Sequence, residues 1–308
     1  MNREDPVLIA ELGATNARLD IVQGKYSKTN QANYLIKEFD SIESLLKDYL
    51  EKTGVATKRA IIGVAAPILE DTVQFVNINL KFSQSSLREN IFQDQLLILN
   101  DLELQAYAIE SLKDEDVLLI GNKKKELLGT KILVSPGTGL GLAGIVEGKV
   151  KPTEAGHLNI PANLSKLSSV VKQFEVEKKR MPTFEDLLSG KGLNYIYQFL
   201  SNNSLIRFTN EEILSELKDP HCLKTKKLML LLLATFLRYM TLVWGATGGV
   251  YISGSMANQL MKDTNVEEFR DNFEDSDTMK LLLLNTPVFL VLDLNLGLRG
   301  ARKLALNI

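Results

Sequence analysis

The sequence is poor in cysteine and histidine, and its charges nearly cancel: one Cys and two His among 308 residues, with a formal net charge of -2. A lone thiol, Cys222, excludes an internal disulfide framework and points to a reducing, cytosolic setting. Without an excess of positive charge there is no electrostatic case for nucleic acid or an anionic membrane as a partner. The N-terminal MNREDPVLIAELGATN carries both signs of charge and no long apolar core before its first strand, so it does not read as a signal peptide. One run is apolar enough to raise the question of a membrane: LMLLLLATFLRYMTLVWG, residues 228 to 245. Arg238 interrupts it, and charge at mid-membrane is expensive, so the run reads as a buried helix of a large domain.

What is present is ordinary globular composition, 45% hydrophobic and 24% charged, in a chain long enough for one large domain or two medium ones. Residues 7 to 22 read as a strand, a tight turn containing Gly13 and a returning strand. SIESLLKDYLEKTG, 41 to 54, is an amphipathic helix with Ser41 as N-cap and Gly54 as its stop. RAIIGVAAPI, 59 to 68, is a continuous apolar run ended by Pro67, as expected of a strand buried on both faces. QLLILND, 95 to 101, repeats that pattern and carries Asn100 and Asp101 to its carboxyl end, where a helix follows. A second set repeats the order. Residues 131 to 150 read as strand, glycine turn and strand, followed by a helix near 184 to 200, the long apolar helix and a strand in GGVYISGS, 248 to 255. Two similar α/β halves follow from this order. The lysine triplet 123 to 125 reads as a solvated turn.

The most informative stretch is SPGTGLG, 135 to 141, between two β-type segments. A backbone without side chains at a sheet's end can cradle phosphate through its amide N–H groups. The bland alternative is a hairpin that only needs unusual φ angles. The turn has company, however: ELGATN occupies the equivalent place in the first half, and GGVYISGS adds a third glycine cluster. No G-x-x-x-x-G-K-[ST] is present, and GTGLGLAG opens a strand rather than a helix, against a dinucleotide fold. One glycine hairpin in each half suits a nucleotide held between two lobes.

These segments, in this order, resemble the bacterial-type glucokinases of the hexokinase–actin–Hsp70 superfamily. ELGATNARLDIV is similar to that family's D-x-G-G-T-N-x-R, SPGTGLGLAGIV to its second phosphate motif and GGVYISGSM to its adenosine-side segment. LILNDLELQAYAI, EAGHLNIP, FEDLLSGKGLNYIYQFL and LNLGLRGARKLAL are similar to its N-D strand end, its E-G-G-H segment, its E-R-x-L-S-G-x-G-L helix and its C-terminal helix. The resemblance implies a two-lobed actin-like ATPase (ribonuclease H-like) α/β fold with the active site in the interlobe cleft. It implies a small lobe of residues 1–110 plus 297–308 and a large lobe of 111–296. It also implies ATP-dependent phosphorylation of glucose at the 6-hydroxyl, the first step of glycolysis, in the cytoplasm, with ATP and Mg²⁺ and with a homodimer as the assembly.

Carried over position by position, the family's sugar ligands are Asn100, Asp101, Glu154, His157 and Glu185, with Asp101 as the catalytic base. Its nucleotide contacts are Gly13, Ala14, Thr15, Asn16, Gly137, Thr138, Gly139 and Gly254. A hexose presents hydroxyls around its ring that donate and accept, which carboxylates, an amide and an imidazole can match. On their own, Asp101 also reads as a helix cap, His157 as a packed loop residue and Glu185 as a first-turn carboxylate. An Asp101 of ordinary pKa, about 3.9, is ionised at pH 7 unless burial raises it strongly. Two departures sit in the first turn: Glu11 replaces the family's Asp, which helps place the metal through water, and Ala14 replaces its second glycine. SGSMAN departs again where the family carries glycines and a basic residue. The repressor–ORF–kinase chains related to this family carry a zinc site of clustered cysteines. One Cys with His157 and His221 cannot make that closed site, so zinc is not a structural requirement. Two other readings stay open: a sugar-binding regulator that has lost efficient turnover, and a kinase for a different hexose such as an N-acetylated hexosamine.

Overall fold

Along Val7–Leu12 (β1) side chains alternate between two apolar clusters. Leu8, Ala10 and Leu12 pack on one face and Val7 and Ile9 on the other, so the strand is covered on both sides. The structure, a computed structural model, describes residues 5–13, 15–24, 30–75, 80–121, 128–161, 164–202, 208–216 and 218–307. Ala14 and the lysine triplet 123–125 lie outside them. The chain divides into two compact units, Met1–Leu112 with Asn295–Ile308, and Lys113–Leu294.

In unit one, β1 pairs antiparallel with Asn16–Val22 (β2), which pairs with Ala32–Leu35 (β3). On its other side β1 runs parallel to Arg59–Val64 (β4), and β4 runs parallel to Gln95–Asn100 (β7). The helix Ile42–Thr53 makes the connection into β4. Ser41 accepts from the Ser44 N–H in a reciprocal capping box, and Gly54 ends the helix at φ 65°, a left-handed conformation that favours glycine. Every residue of β4 is buried, as its unbroken apolar run requires. A small hairpin, Thr72–Gln74 (β5) with Lys81–Ser83 (β6), stands apart from this sheet. The face of β1 that carries Val7 and Ile9 is covered by the helix Asp101–Ala108 and the C-terminal helix Leu296–Ala305. A Cβ on Gly300 would collide with the Leu104 carbonyl oxygen, so that glycine sets how closely the two helices approach.

Unit two repeats the order. Lys131–Pro136 (β9), Leu140–Val146 (β10) and Lys149–Thr153 (β11) form an antiparallel meander, and Gly249–Ile252 (β12) and Val288–Val291 (β13) continue parallel to β9. Val117–Leu119 (β8) closes the β13 edge antiparallel. The helix expected near 184 to 200 is two, Phe184–Leu187 and Gly190–Ser201. Buried Ser189 separates them, its hydroxyl accepting the Gly192 N–H at 3.3 Å to start the second helix. The apolar helix extends further than the hydrophobic run, over Pro220–Trp244, because Asp219 caps it by accepting the His221 and Cys222 N–H groups. By length and composition it could cross a membrane, but most of its side chains lie in the core of unit two. Arg238 is buried there with partners: the carbonyls of Asn272 and Asp275 and the Asp275 carboxylate at 3.0 Å.

Candidate functional site

Unit one brings Glu11, near the end of β1, and Asn100 with Asp101, at the end of β7, to the same end of the sheet, with parallel β4 between the two strands. Period-two alternation puts Glu11 on the same face as Val7 and Ile9, beneath the two covering helices. There its Oε2 accepts from Arg18 Nη1 at 3.2 Å, directly across the β1–β2 register, and its Oε1 accepts from Gln105 Nε2 at 3.3 Å. A Cβ on Gly297 would lie 2.5 Å from the Glu11 carboxyl carbon, so this glycine leaves room for the longer side chain. Arg18, Gln105 and Gly297 were not singled out from the sequence. Hairpin register predicts the first, and the second stands one helical turn after Asp101. The turn itself closes by Gly13 N–H donating to the Asn16 carbonyl at 2.9 Å, with the Thr15 and Asn16 side chains exposed.

Asn100, not Asp101, caps the helix Asp101–Ala108. Its Oδ1 accepts the Leu102 N–H at 3.0 Å, and its Nδ2 donates to the Ala66 carbonyl at 3.3 Å. Asp101 is the first helical residue, and its Oδ1 shares the Leu102 N–H at 2.9 Å. Burial, and after it the nearby Glu11 charge, push the Asp101 carboxyl up to about 7, against the opposing backbone N–H groups. Burial thus does what the ordinary value left open, and Asp101 titrates in the neutral range rather than at about 3.9. A group that titrates there can accept and return a proton at neutral pH.

Unit two gathers the remaining residues around Leu140, the first residue of β10. Its N–H donates to Glu185 Oε2 at 2.8 Å, and its carbonyl lies so close to Gly156 that no Cβ would fit. Gly156 belongs to the short 3₁₀ turn Ala155–His157, so the segment holding Glu154 and His157 is seated on the same residue as Glu185. A bridge between Asn159 and Thr183, and the Phe184 N–H donating to the Leu158 carbonyl at 2.9 Å, tie the two segments together. Glu154 and His157 are exposed, with Glu154 Oε2 3.7 Å from His157 Nε2. The glycine turn closes on itself, Gly137 N–H to the Gly139 carbonyl at 2.8 Å, and the Gly137 carbonyl accepts the Gly190 N–H at 2.8 Å. Thr138 is exposed at its tip. Gly254 has φ 99°, and Ser135 Oγ donates to the carbonyl of Ser253 beside it, which brings the end of β12 to this turn. Among the described residues no group of three or more His, Cys, Asp or Glu is clustered to hold a metal.

A meander of three antiparallel strands followed by parallel ones, repeated in both units, is the arrangement of the two-lobed actin-like ATPase fold. The crystal structure of glucokinase from an Antarctic psychrotroph has it, with a TM-score of 0.83, 24% identity and 99% of each chain covered. A ROK family glucokinase from Streptomyces griseus, solved with glucose and AMPPNP, matches 98% of this chain and 100% of its own, with a TM-score of 0.64 and 15% identity. The Glucokinase family model matches residues 8–308, and the chain belongs to that family. A glucokinase of Neisseria meningitidis serogroup C is 29% identical over 308 residues, covering 96% of this chain and 93% of that one.

Proposed function

We propose that this chain transfers the γ-phosphoryl group of ATP to the 6-hydroxyl of glucose. The observation that carries the reading is Asp101, a carboxyl pushed up to about 7 at the start of a helix in a member of the Glucokinase family. The sugar O6–phosphorus bond forms, the bond from phosphorus to the β–γ bridging oxygen breaks, the hydroxyl proton passes to Asp101, and ADP leaves. Asp101 at pKa about 7 is a stronger base than an ordinary carboxylate, closer to the optimum for proton transfer at neutral pH. Asn100 keeps one amide hydrogen beyond its bond to Ala66, and with Glu154, His157 and Glu185 it orients the sugar. The turn at Gly13–Asn16, together with Gly137, Thr138 and Gly254, takes the nucleotide. Magnesium is commonly held by one or two carboxylates with phosphate oxygens and water, and Glu11 fits a contact through water because both its oxygens already accept bonds. Bound there, the ion would neutralise charge on the transferring group. The Streptomyces structure with glucose and AMPPNP supports these two ligands for this chain.

A second reading, a sugar-binding regulator, is favoured by the same Glu11, whose carboxylate is engaged by Arg18 and Gln105. A coupled assay with ATP and a panel of hexoses separates the readings. Glucose 6-phosphate formation above that of other sugars is the expected result. Binding of glucose with no ATP-dependent product from any hexose would favour the regulator, and preference for another hexose would reassign the substrate.

A further inference from the structure

Two glycines stand two residues apart in the same turn, and their surroundings differ. The φ of neither lies in the left-handed region, so backbone conformation demands glycine at neither position. A Cβ on Gly137 would meet no protein atom within 4 Å. A Cβ on Gly139 would lie 2.6 Å from Glu185 Oε2 and 3.3 Å from its carboxyl carbon. That same Oε2 accepts the N–H of the next residue, Leu140, at 2.8 Å, while Oε1 has no hydrogen bond among the described residues.

We propose that Gly139 is a positioning residue for the sugar rather than a contact for the nucleotide. Its missing side chain is the seat of the Glu185 carboxylate, which fixes one oxygen on Leu140 and leaves the other for a sugar hydroxyl. The inference rests on the reading of Glu185 as a sugar ligand. An alanine at 139 forces the carboxylate off its seat and breaks the bond to Leu140. An alanine at 137 leaves Glu185 where it is and projects only toward whatever the turn binds.

The test compares Gly139→Ala with Gly137→Ala in the full chain, measuring KM for glucose and for ATP, with the glucose Kd taken by calorimetry in the absence of nucleotide. Gly139→Ala should raise the glucose KM and Kd about tenfold or more, as expected for a lost charged hydrogen bond, and leave the ATP KM within about twofold. Gly137→Ala should do the reverse. A rise in ATP KM with glucose affinity unchanged in Gly139→Ala overturns the proposal. In a Glu185→Ala background, where no carboxylate needs the seat, Gly139→Ala should cost no further glucose affinity; a full additive loss overturns it. Should Gly139→Ala alone fail to fold, recovery of folding in the Glu185→Ala background supports the proposal, and misfolding in both backgrounds overturns it. A wild type that binds glucose without phosphorylating any hexose ends the kinase reading alone, because the calorimetric comparison still decides this one. A wild type that binds no hexose ends both.

Discussion

The two sheets share one order over five strands, the second adding β8 at its edge, and each places a glycine turn after the first strand of its meander, yet the turns are held by different means. In unit one the neighbouring carboxylate, Glu11, belongs to the strand itself and is matched by Arg18 across the hairpin and Gln105 from a covering helix. Arg18 is 38% exposed, and such pairs contribute at most about 1 kcal/mol, so the pairing orients Glu11 more than it stabilises the unit. In unit two the carboxylate, Glu185, arrives from a different segment and binds backbone, while Gly190 clamps the Gly137 carbonyl. One topology and one glycine pattern thus serve two designs. In the first, charge is arranged around a turn; in the second, the turn is a seat for a neighbour.

The sharpest way to break this comparison is Asp101→Asn, because Asp101 is the carboxylate whose burial makes unit one the proton-accepting half in the proposed reaction. The variant keeps an oxygen to accept the Leu102 N–H and loses the charge. Turnover should fall by at least about 100-fold, the usual worth of general-base catalysis, while calorimetry still detects glucose binding. Near-normal turnover would remove Asp101 as the base. Stability should move the opposite way. With its pKa raised above the unfolded value, ionised Asp101 opposes folding, a penalty absent below about pH 4, growing as pH rises toward 7 and complete above it. Asp101→Asn should therefore be the more stable protein above pH 7, by roughly 1–3 kcal/mol, with the advantage fading toward pH 4. Denaturant titrations across that range check it.

Most of the fold was legible because its signals are local. The apolar run of β4, the Ser41 and Gly54 caps and the two glycine hairpins all act within a few residues of where they are read. Short strands such as β3, β8 and β11 escaped because edge positions, exposed on one face, lack a strong apolar pattern. At the site, residue types were legible and reasons were not. Gly139 and Gly156 look like flexible turn residues in sequence, whereas contact with Glu185 and with the Leu140 carbonyl is what excludes their side chains. Those partners lie 46 and 16 residues away along the chain and become neighbours only once the unit is folded. The pKa of Asp101 was hidden for the same reason, since it depends on burial and on a charge ninety residues earlier.

A smaller effect is expected on the unit-two side, from His157→Ala. His157 shares its turn with Glu154 and is exposed at 59% of its side chain, so its removal should leave the fold unchanged. The glucose KM should rise about tenfold, the worth of one hydrogen bond, with the ATP KM nearly unchanged. An ATP KM that rises alone would move this turn to the nucleotide side.

The smallest effect, and the one that isolates the charge arrangement of unit one, is a shift in the pH profile on Glu11→Gln. In the wild type, kcat/KM should increase with pH up to about 7 and level off above it, since only ionised Asp101 accepts the proton. Glutamine at position 11 removes the like charge and leaves Arg18 less neutralised beside the site, and both changes favour ionised Asp101. The midpoint should move to lower pH. It should not reach the ordinary carboxylate value of about 3.9, because burial, the larger cause of the raised value, is untouched. Glu11→Asp keeps the charge and should leave the midpoint near that of the wild type while changing how well Arg18 and Gln105 are reached. If the midpoint stays fixed in Glu11→Gln, burial alone sets the Asp101 titration, and the carboxylate of the first turn has no electrostatic hold on the base.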